Sequence, residues 1–317
     1  MTTPWQGRID QPQQGDTLRW HQVVQPLAAP ATPGIALLGL VSDEGVRRNG
    51  GRPGAAQGPD VIRAAASNLP VWHRGPLYDA GDVVCAGGDL ETAQSEYAAR
   101  IAALLDGRHF PLGLGGGHEI AYPSYLGLID HLGRRARRVG IVNFDAHFDL
   151  RAQALPSSGT PFLQILDHAL RHGHDVLYMC LGVSTAANTR HLFSTAESRG
   201  VRYLQDEQLA PWALESARQF LAQWLGEVDV VYMSLCLDVL PQSVAPGVSA
   251  PNARGVGIET LEALVDVVLS TGKVVVADIA ELSPPHDRDA ATARVAARLL
   301  HRIAGAAHFA TTTCVTR

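Results

Sequence analysis

Short apolar runs alternate along this chain with longer segments in which apolar residues recur every three or four positions. Six runs are apolar and mostly rich in β-branched residues, which is typical of strands covered on both faces of a sheet. They are IALLGL (35–40), FPLGL (110–114), RVGIVNF (138–144), DVLYMCLGV (175–183), VDVVYMSLC (228–236) and KVVVADI (273–279). HFATTTCV predicts a further strand at 308–315.

Segments between these runs have apolar residues at helical spacing. PDVIRAAASNL (59–69) has Pro59 in its first turn, a position that suits proline. DLETAQSEYAARIAALLDG (89–107) and IETLEALVDVVLSTG (258–272) each place a row of apolar residues on one helical face. ATARVAARLLHRIAG (291–305) predicts another helix. Strands that alternate with helices favour an α/β fold with a parallel sheet.

The organisation of the chain favours one domain. No Ser/Gly-rich linker and no internal repeat is visible, so we expect a single domain over residues 1–317, long enough for a large core. Residues 1–33 are polar and rich in Pro and Gln, and we interpret them as an N-terminal arm packed on the body through Trp5 and Trp20.

Composition narrows the class of protein. The net charge of -5, with no block of like charge, gives no indication of nucleic acid or an anionic membrane as a partner. No apolar run reaches the roughly 18 residues of a transmembrane helix, and the first residues lack the layout of a signal peptide. The 4 cysteines are widely spaced without a CxxC pair, which predicts a reduced, cytoplasmic protein. Cys85, Cys180 and Cys314 lie in apolar stretches and are interpreted as core thiols.

Polar residues that could bind metal or take part in catalysis follow the apolar runs. In α/β sheets the functional groups gather at these strand ends. Asp145, His147 and Asp149 follow RVGIVNF, and residues two apart in an extended segment share a face. Three such groups buried together would be costly unless a divalent cation compensates. The alternative is an exposed strand end with solvated charges, which the apolar lead-in disfavours.

Three other runs end in similar residues. His118 follows a glycine-rich turn that does not match a dinucleotide-binding motif, and a helix-capping histidine is the alternative there. Cys236 and Asp238 lie two apart on one face, although a core thiol would explain Cys236 taken alone. Glu281 follows KVVVADI, three residues after Asp278. Such donors favour Mn²⁺ over Zn²⁺, Fe²⁺ or Co²⁺, and they suffice for two ions whose shared water would have a lowered pKa.

Four of these segments together resemble the signature regions of the ureohydrolases, the family of arginase and agmatinase: GGGHE, NFDAHFDLR, SLCLDVLPQSVAPGVSAP and DIAELSPPHD. Within that family, EGVRRNGGRPGA and DAHFDLR are most similar to the formimidoylglutamases, which hydrolyse N-formimidoyl-L-glutamate to L-glutamate and formamide. The resemblance implies a three-layer α/β/α fold with a mainly parallel central sheet and two Mn²⁺ ions per subunit. The ligands that it implies are His118, Asp145, His147, Asp149, Cys236 and Asp238, with positions 145 and 236 bridging the two ions.

Two residues depart from the family pattern. Cys236 stands where the family usually has aspartate, so one of the two ions is expected to be weak or absent if the side chain stays a thiol. Phe162 lies where arginase has a histidine thought to help in proton transfer, which weighs against arginase activity. For the catalytic roles that the resemblance implies, Glu281 would orient the amidinium group, and Asp149 would accept a proton and return it to the leaving amine.

The other end of formimidoylglutamate carries two carboxylates, which call for cationic or polar contacts. Candidates are Arg151 after the DAHFD segment, Ser158 in the following loop, and Arg48, Asn49 and Arg52 on a glycine-rich loop after the first strand. Solvation or pairing with acidic neighbours is the alternative for each arginine. Two rival functions stay open: a ureohydrolase acting on a guanidino-acid or agmatine, and a metal-poor, non-catalytic subunit. By analogy with the family we also expect a homo-oligomer.

Overall fold

A single parallel sheet forms the centre of the protein. The computed structural model describes residues 4–11, 15–29, 31–133 and 137–307. Within them the sheet has nine strands in the order β1-β3-β2-β4-β9-β8-β5-β6-β7, and every neighbouring pair is parallel. The strands are β1 (Gln25–Pro26), β2 (Ile35–Val41), β3 (Leu77–Val84), β4 (Phe110–Leu114), β5 (Val139–Phe144), β6 (Val176–Val183), β7 (Arg202–Gln205), β8 (Val230–Cys236) and β9 (Val274–Ala280).

Helices cover both faces of this sheet. They are α1 (Trp20–Val23), α2 (Glu44–Arg48), α3 (Gly58–Ala66), α4 (Leu90–Asp106), α5 (Ala121–Leu132), α6 (Pro161–His172), α7 (Arg190–Ser198), α8 (Leu214–Leu225), α9 (Ile258–Ser270) and α10 (Ala291–Ala306). One core packs α3, α8, α9 and α10 against one face of the sheet, and a second core packs α4 to α7 against the other. The expected three-layer α/β/α fold is therefore confirmed. Among the described helices, none combines the length and apolar character needed to cross a bilayer.

The six apolar runs within the described residues all form strands where the pattern predicts them. The pattern missed β3, β7 and the two-residue β1. In β3 and β7 exposed or half-buried positions interrupt the run, because these strands lie towards the edges of the sheet. The strand predicted at 308–315 and the core thiol predicted at Cys314 lie outside the described residues.

The strand order brings the four polar strand ends together. Two late strands, β9 and β8, lie between β4 and β5, so that the four form one continuous central block. Their carboxyl ends are in register, since Leu114 pairs with Ile279, Ile279 with Leu235, and Leu235 with Phe144. In parallel strands this register places the residues that follow each strand at one height along the same edge.

The described part of the N-terminal arm packs on the body. Trp20 is fully buried in the core, and the Trp5 indole Nε1 donates to Asp79 Oδ2 at 2.7 Å. The short strand β1 then extends the sheet by pairing with β3.

Candidate metal centre and active site

The glycine-rich turn after β4 places His118 at the carboxyl ends of the central strands. The turn runs close to the end of β2, where the Gly116 N–H donates to the carbonyl of Leu40 at 2.9 Å. A Cβ atom on Gly116 would lie 1.7 Å from the carbonyl oxygen of Ser42. This close approach of two backbones requires glycine and explains the turn without a bound phosphate.

Two groups of possible metal ligands lie at this edge, and within each group the ligand atoms all lie within 4.8 Å of one another. One group consists of His118, Asp145 and Cys236, and the other of Asp145, His147 and Asp238. Asp145 belongs to both groups, which is the arrangement that a carboxylate bridging two ions requires. The sixth candidate ligand, Asp149, places Oδ2 3.0 Å from His118 Nδ1. The structure therefore brings all six sequence-predicted ligands into one cluster.

The imidazole of His118 tests whether the cluster fits a cation. Its Nε2 bonds the hydroxyl of Ser234 at 3.0 Å, and that hydroxyl itself donates to Asp278 at 2.6 Å, so Nε2 carries the proton. The buried Nδ1 makes no hydrogen bond of suitable geometry. It nevertheless faces oxygens of Asp145 and Asp149 at 2.9 and 3.0 Å. Without positive charge between them these groups would repel one another, so the arrangement fits a bound proton or a metal cation in its place.

The electrostatics of the cluster lead to the same conclusion. Burial lowers the pKa of His118 and of His147, but the adjacent carboxylates outweigh it and hold both pKa values well above their ordinary range. Burial, together with the charge of Asp145, raises the pKa of Asp149 to about 6 and raises that of Asp238. The cluster thus favours bound positive charge, and divalent cations that bind there would displace protons.

A buried hydroxyl network holds His118 in place. Asp278 is fully buried and accepts hydrogen bonds from Ser124, Tyr232 and Ser234 at 2.8, 2.6 and 2.6 Å. Partners of this kind fix the orientation and tautomer of a ligating histidine. Sequence reasoning noted Asp278 but missed Ser234. The signal was present, because Ser234 shares the period-two face of Cys236 and Asp238.

Two asparagines hold the DAHFD segment, and sequence reasoning missed both. The Asn143 side chain donates to Asp145 Oδ2 at 3.1 Å. Asn188, in the loop before α7, donates to the carbonyl of Ala146 at 2.8 Å and accepts from the N–H of Phe148 at 3.1 Å. A loop asparagine has no periodic signal, so the role of Asn188 could not be predicted from the pattern.

The two residues with predicted catalytic roles both have strained backbones. Asp149 has φ 50° and Glu281 has φ 73°, in the left-handed region that favours glycine. Such strain costs roughly 1–3 kcal/mol and is typical of functional sites. Glu281 Oε1 accepts a hydrogen bond from the backbone N–H of His118 at 2.8 Å. Burial, reinforced by the charges of Glu119 and Asp238, raises the pKa of Glu281 to about 8.

A cavity of about 300 Å³ opens over the cluster. Its lining includes five of the six candidate ligands, together with Glu281. Of the predicted substrate contacts, Asn49, Arg52, Arg151 and Ser158 line it, whereas Arg48 does not. Gly50, Gly51, Ser249 and Ala250 complete the lining. Ser249 and Ala250 were not predicted individually, although they lie in the SLCLDVLPQSVAPGVSAP segment.

The loops around the cavity are tied to one another. The Asn49 amide donates to the Ser158 hydroxyl at 3.3 Å. Arg52 Nε donates to the carbonyl of Ser249 at 2.9 Å, so part of this guanidinium holds a neighbouring loop. Arg151 is exposed and lines the cavity, and its backbone N–H donates to the carbonyl of Gly159 at 2.9 Å.

Phe162 borders the cluster at the place where a proton-transferring histidine was considered. Its buried ring stacks on Tyr178 at 4.5 Å and meets the His118 ring edge-on at 5.3 Å. An aromatic hydrocarbon cannot carry a proton, so this side chain shields the imidazole of His118 and contributes no acid or base. Of the predicted core thiols, Cys180 is buried and Cys85 is half-buried.

Comparisons with known proteins bear on the family and the fold of the chain. The model of the arginase family matches residues 33–305. A formimidoylglutamase of Ralstonia nicotianae is 48% identical, over 96% of this chain and 98% of that protein. The crystal structure of formimidoylglutamase from Bacillus subtilis has the same fold, with a TM-score of 0.81 at 24% identity, covering 91% of each chain. A formiminoglutamase variant from Trypanosoma cruzi, solved with Mn²⁺, gives a TM-score of 0.74 at 25% identity, covering 88% of this chain and 95% of that one.

Proposed function

Since the chain belongs to the arginase family, we propose that it hydrolyses N-formimidoyl-L-glutamate to L-glutamate and formamide. The observation that carries this proposal is the cavity in which two donor groups sharing Asp145 lie beside Glu281 and Arg151. A carboxylate near the donor groups suits the planar, cationic amidinium, and an arginine suits the carboxylates at the other end of the substrate. Near full-length identity of 48% to a formimidoylglutamase supports the same substrate.

The proposal includes two Mn²⁺ ions. His118, Asp145, Asp149 and Cys236 would hold one ion, and Asp145, His147 and Asp238 the other. The Mn²⁺ solved with the Trypanosoma cruzi formiminoglutamase variant supports this choice of metal. Bound cations supply Lewis acidity, which lowers the pKa of water and neutralises negative charge that develops in the transition state.

The side chains of the chain itself would position the substrate and transfer the proton. Glu281 accepts hydrogen bonds from the amidinium N–H groups, so that the amidine carbon faces the donor groups. Asp149 accepts a proton from the attacking water and delivers it to the glutamate nitrogen. Water adds to the amidine carbon, and the bond from that carbon to the glutamate nitrogen then breaks, releasing formamide and L-glutamate. Phe162 keeps solvent from one side of His118.

The substrate's two carboxylates would be held by the loops that line the cavity. Arg151 and Arg52 supply positive charge, while Asn49 and Ser158 supply hydrogen-bond donors. This set disfavours agmatine, because its cationic tail would meet the guanidinium groups. No observation favours a guanidino-acid over formimidoylglutamate. A metal-poor, non-catalytic subunit is disfavoured, because both donor groups retain their carboxylate and imidazole members.

The proposed function predicts formamide release. We expect the Mn²⁺-loaded protein to convert N-formimidoyl-L-glutamate to equal amounts of L-glutamate and formamide, measured by proton NMR. Agmatine and a guanidino-acid of matching length serve as controls and should release no urea. Urea from the guanidino-acid without formamide from formimidoylglutamate would overturn the substrate assignment. Absence of bound metal and of every product would favour the non-catalytic subunit.

Replacing Cys236 by aspartate tests the site at which the chain departs from its family. Burial and the charges of Asp145 and Asp238 raise the pKa of the Cys236 thiol well above its ordinary value, which weakens it as a donor. Carboxylate is the harder donor and suits Mn²⁺ better. We expect Cys236→Asp to bind more Mn²⁺ per chain and to turn over faster, by metal analysis and product assay. Cys85→Ala controls for loss of a thiol. A Cys236→Asp protein that is less stable, with unchanged metal content, would identify Cys236 as a core thiol.

Three further expectations belong to this proposal. A symmetric homo-oligomer follows from the family resemblance. A cytoplasmic location follows from the widely spaced cysteines without a CxxC pair. One domain over 1–317, with 1–33 as its arm, agrees with the family match over residues 33–305.

A further inference from the structure

Arg48 ends α2, the short helix that precedes the cavity-lining residues Asn49 to Arg52. Arginine at this point of the sequence predicts a contact with a substrate carboxylate. The side chain is instead only 15% exposed, and it lies outside the cavity lining. Its neighbour Asn49 does line the cavity.

The guanidinium of Arg48 is fully occupied by the protein. Nε donates to Glu44 Oε1 at 2.9 Å. Nη1 donates to Glu91 Oε1 at 2.7 Å and to the carbonyl of Pro156 at 3.2 Å. Nη2 donates to the carbonyl of Gly88 at 3.1 Å and to Glu91 Oε2 at 3.2 Å. An arginine side chain has five N–H groups, so none remains for the carboxylates of a substrate.

These acceptors come from three segments of the chain. Glu44 belongs to α2 itself, Gly88 lies two residues before α4, and Glu91 lies in the first turn of α4. Pro156 lies in the loop at 151–160, which also contributes Arg151 and Ser158 to the cavity. One side chain therefore joins the two loops, 49–52 and 151–160, that line the cavity beside the metal ligands.

The contact between those loops is tight beside Arg48. The Asn49 amide donates to the Ser158 hydroxyl at 3.3 Å. A Cβ atom on Gly159 would lie 2.8 Å from Arg151 Cδ and 2.9 Å from the Asn49 amide nitrogen. Small shifts of either loop would thus change the spacing of the polar groups that face the substrate.

We propose that Arg48 is a positioning residue, which fixes loop 49–52 against loop 151–160 and so sets the spacing of the groups that bind the substrate's two carboxylates. The identity of the substrate rests on the proposed function, whereas the tie between the loops does not. Lysine can fill this role only in part, because a single ammonium group cannot reach acceptors on all three segments at once. Arg48 touches no substrate and takes no part in the chemical step.

The test compares Arg48→Met and Arg48→Lys with Arg47→Met. Arg47 is on the same helix and has the same charge, but its side chain is 62% exposed. Within the described residues, Glu44 is the one acidic side chain with which Arg47 forms an ion pair. We expect Arg48→Met to raise KM for formimidoylglutamate about tenfold while kcat stays within about threefold and metal content is unchanged. The KM of Arg48→Lys should lie between those of the parent and Arg48→Met. The KM of Arg47→Met should stay within about twofold of the parent.

Hydrogen–deuterium exchange of peptides from 151–160 gives a readout independent of activity. Arg48→Met should exchange faster there than the parent and Arg47→Met. Glu91→Gln removes one charged acceptor and should raise KM and speed exchange by smaller amounts. It takes the place of Arg48→Met in the test if that variant does not fold. Parental KM with parental exchange, or a fall in kcat at parental KM, would overturn the proposal. If the parent releases no formamide, the proposed function fails, and the exchange comparison still decides the role of Arg48.

Discussion

Replacing Glu281 by glutamine is expected to lower turnover by about two to three orders of magnitude, with metal content unchanged. Glutamine has the same shape, and its oxygen can still accept the N–H of His118, as Glu281 Oε1 does at 2.8 Å. The carboxylate charge that would pair with the amidinium is lost. A bound cationic amidinium favours that charged form and opposes the raised pKa of Glu281. Metal binding should persist, because Glu281 belongs to neither group of candidate ligands.

The measurements are kcat on formimidoylglutamate and Mn²⁺ per chain after dialysis. Glu119→Gln is the matched control. Glu119 is buried nearby and binds Ser42 and Gly45 at 2.8 and 3.0 Å, but it does not line the cavity. We expect its kcat within about threefold of the parent. Removing the charge of Glu119 would lower the raised pKa of Glu281 and so favour the ionised form that the mechanism uses. If Glu281→Gln has the turnover of the parent, Glu281 has no part in the mechanism. If Glu281→Gln binds less Mn²⁺ than the parent, Glu281 is a metal ligand.

Much of the site could be predicted from the sequence, because its residues follow recognisable strands. The alternation of Asp145, His147 and Asp149 after an apolar run already indicated converging donors. Cys236 and Asp238 showed the same phase after another run. Parallel strands then place such residues on one edge, so local patterns and one general rule were sufficient.

The strand order could not be predicted from local patterns. That β9 and β8 lie between β4 and β5 depends on pairing between segments far apart in the chain. This order brings Glu281, which follows β9, next to His118, which follows β4. The sequence indicated both residues as candidates, and the family resemblance rather than periodicity placed them in one site.

The loops were predicted less well, because side-chain partners there depend on distant contacts. Arg48 was assigned to the substrate, since arginine suits carboxylates. Its guanidinium instead reaches Glu91, which lies 43 residues away, and the carbonyl of Pro156, 108 residues away. Nothing in the periodicity of either segment indicates those partners.

Replacing Asp145 by asparagine is expected to have the other large effect. Asp145 is the one residue shared by the two groups of candidate ligands in the described chain. Losing its charge should weaken both ions at once, so we expect Mn²⁺ per chain to fall below one. Turnover should fall by about three orders of magnitude or more, since bound cations would supply the acidity of the attacking water and the charge stabilisation. Metal analysis, the product assay and the electron paramagnetic resonance signal of a coupled Mn²⁺ pair measure these losses.

Asp238→Asn is the control that separates a shared ligand from an unshared one. Asp238 belongs only to the group with His147, so its variant should keep the ion held by His118, Asp149 and Cys236. Because the Cys236 thiol is a weak donor, metal content is measured in excess Mn²⁺ for both variants and the parent. Retention of one ion in Asp238→Asn and of neither in Asp145→Asn would place Asp145 between the two. Equal losses in both variants would contradict the shared position. Thermal unfolding of each variant and the parent in chelator shows whether a loss of metal comes from the ligand or from the fold, because chelator removes the stabilisation by bound metal from all three proteins.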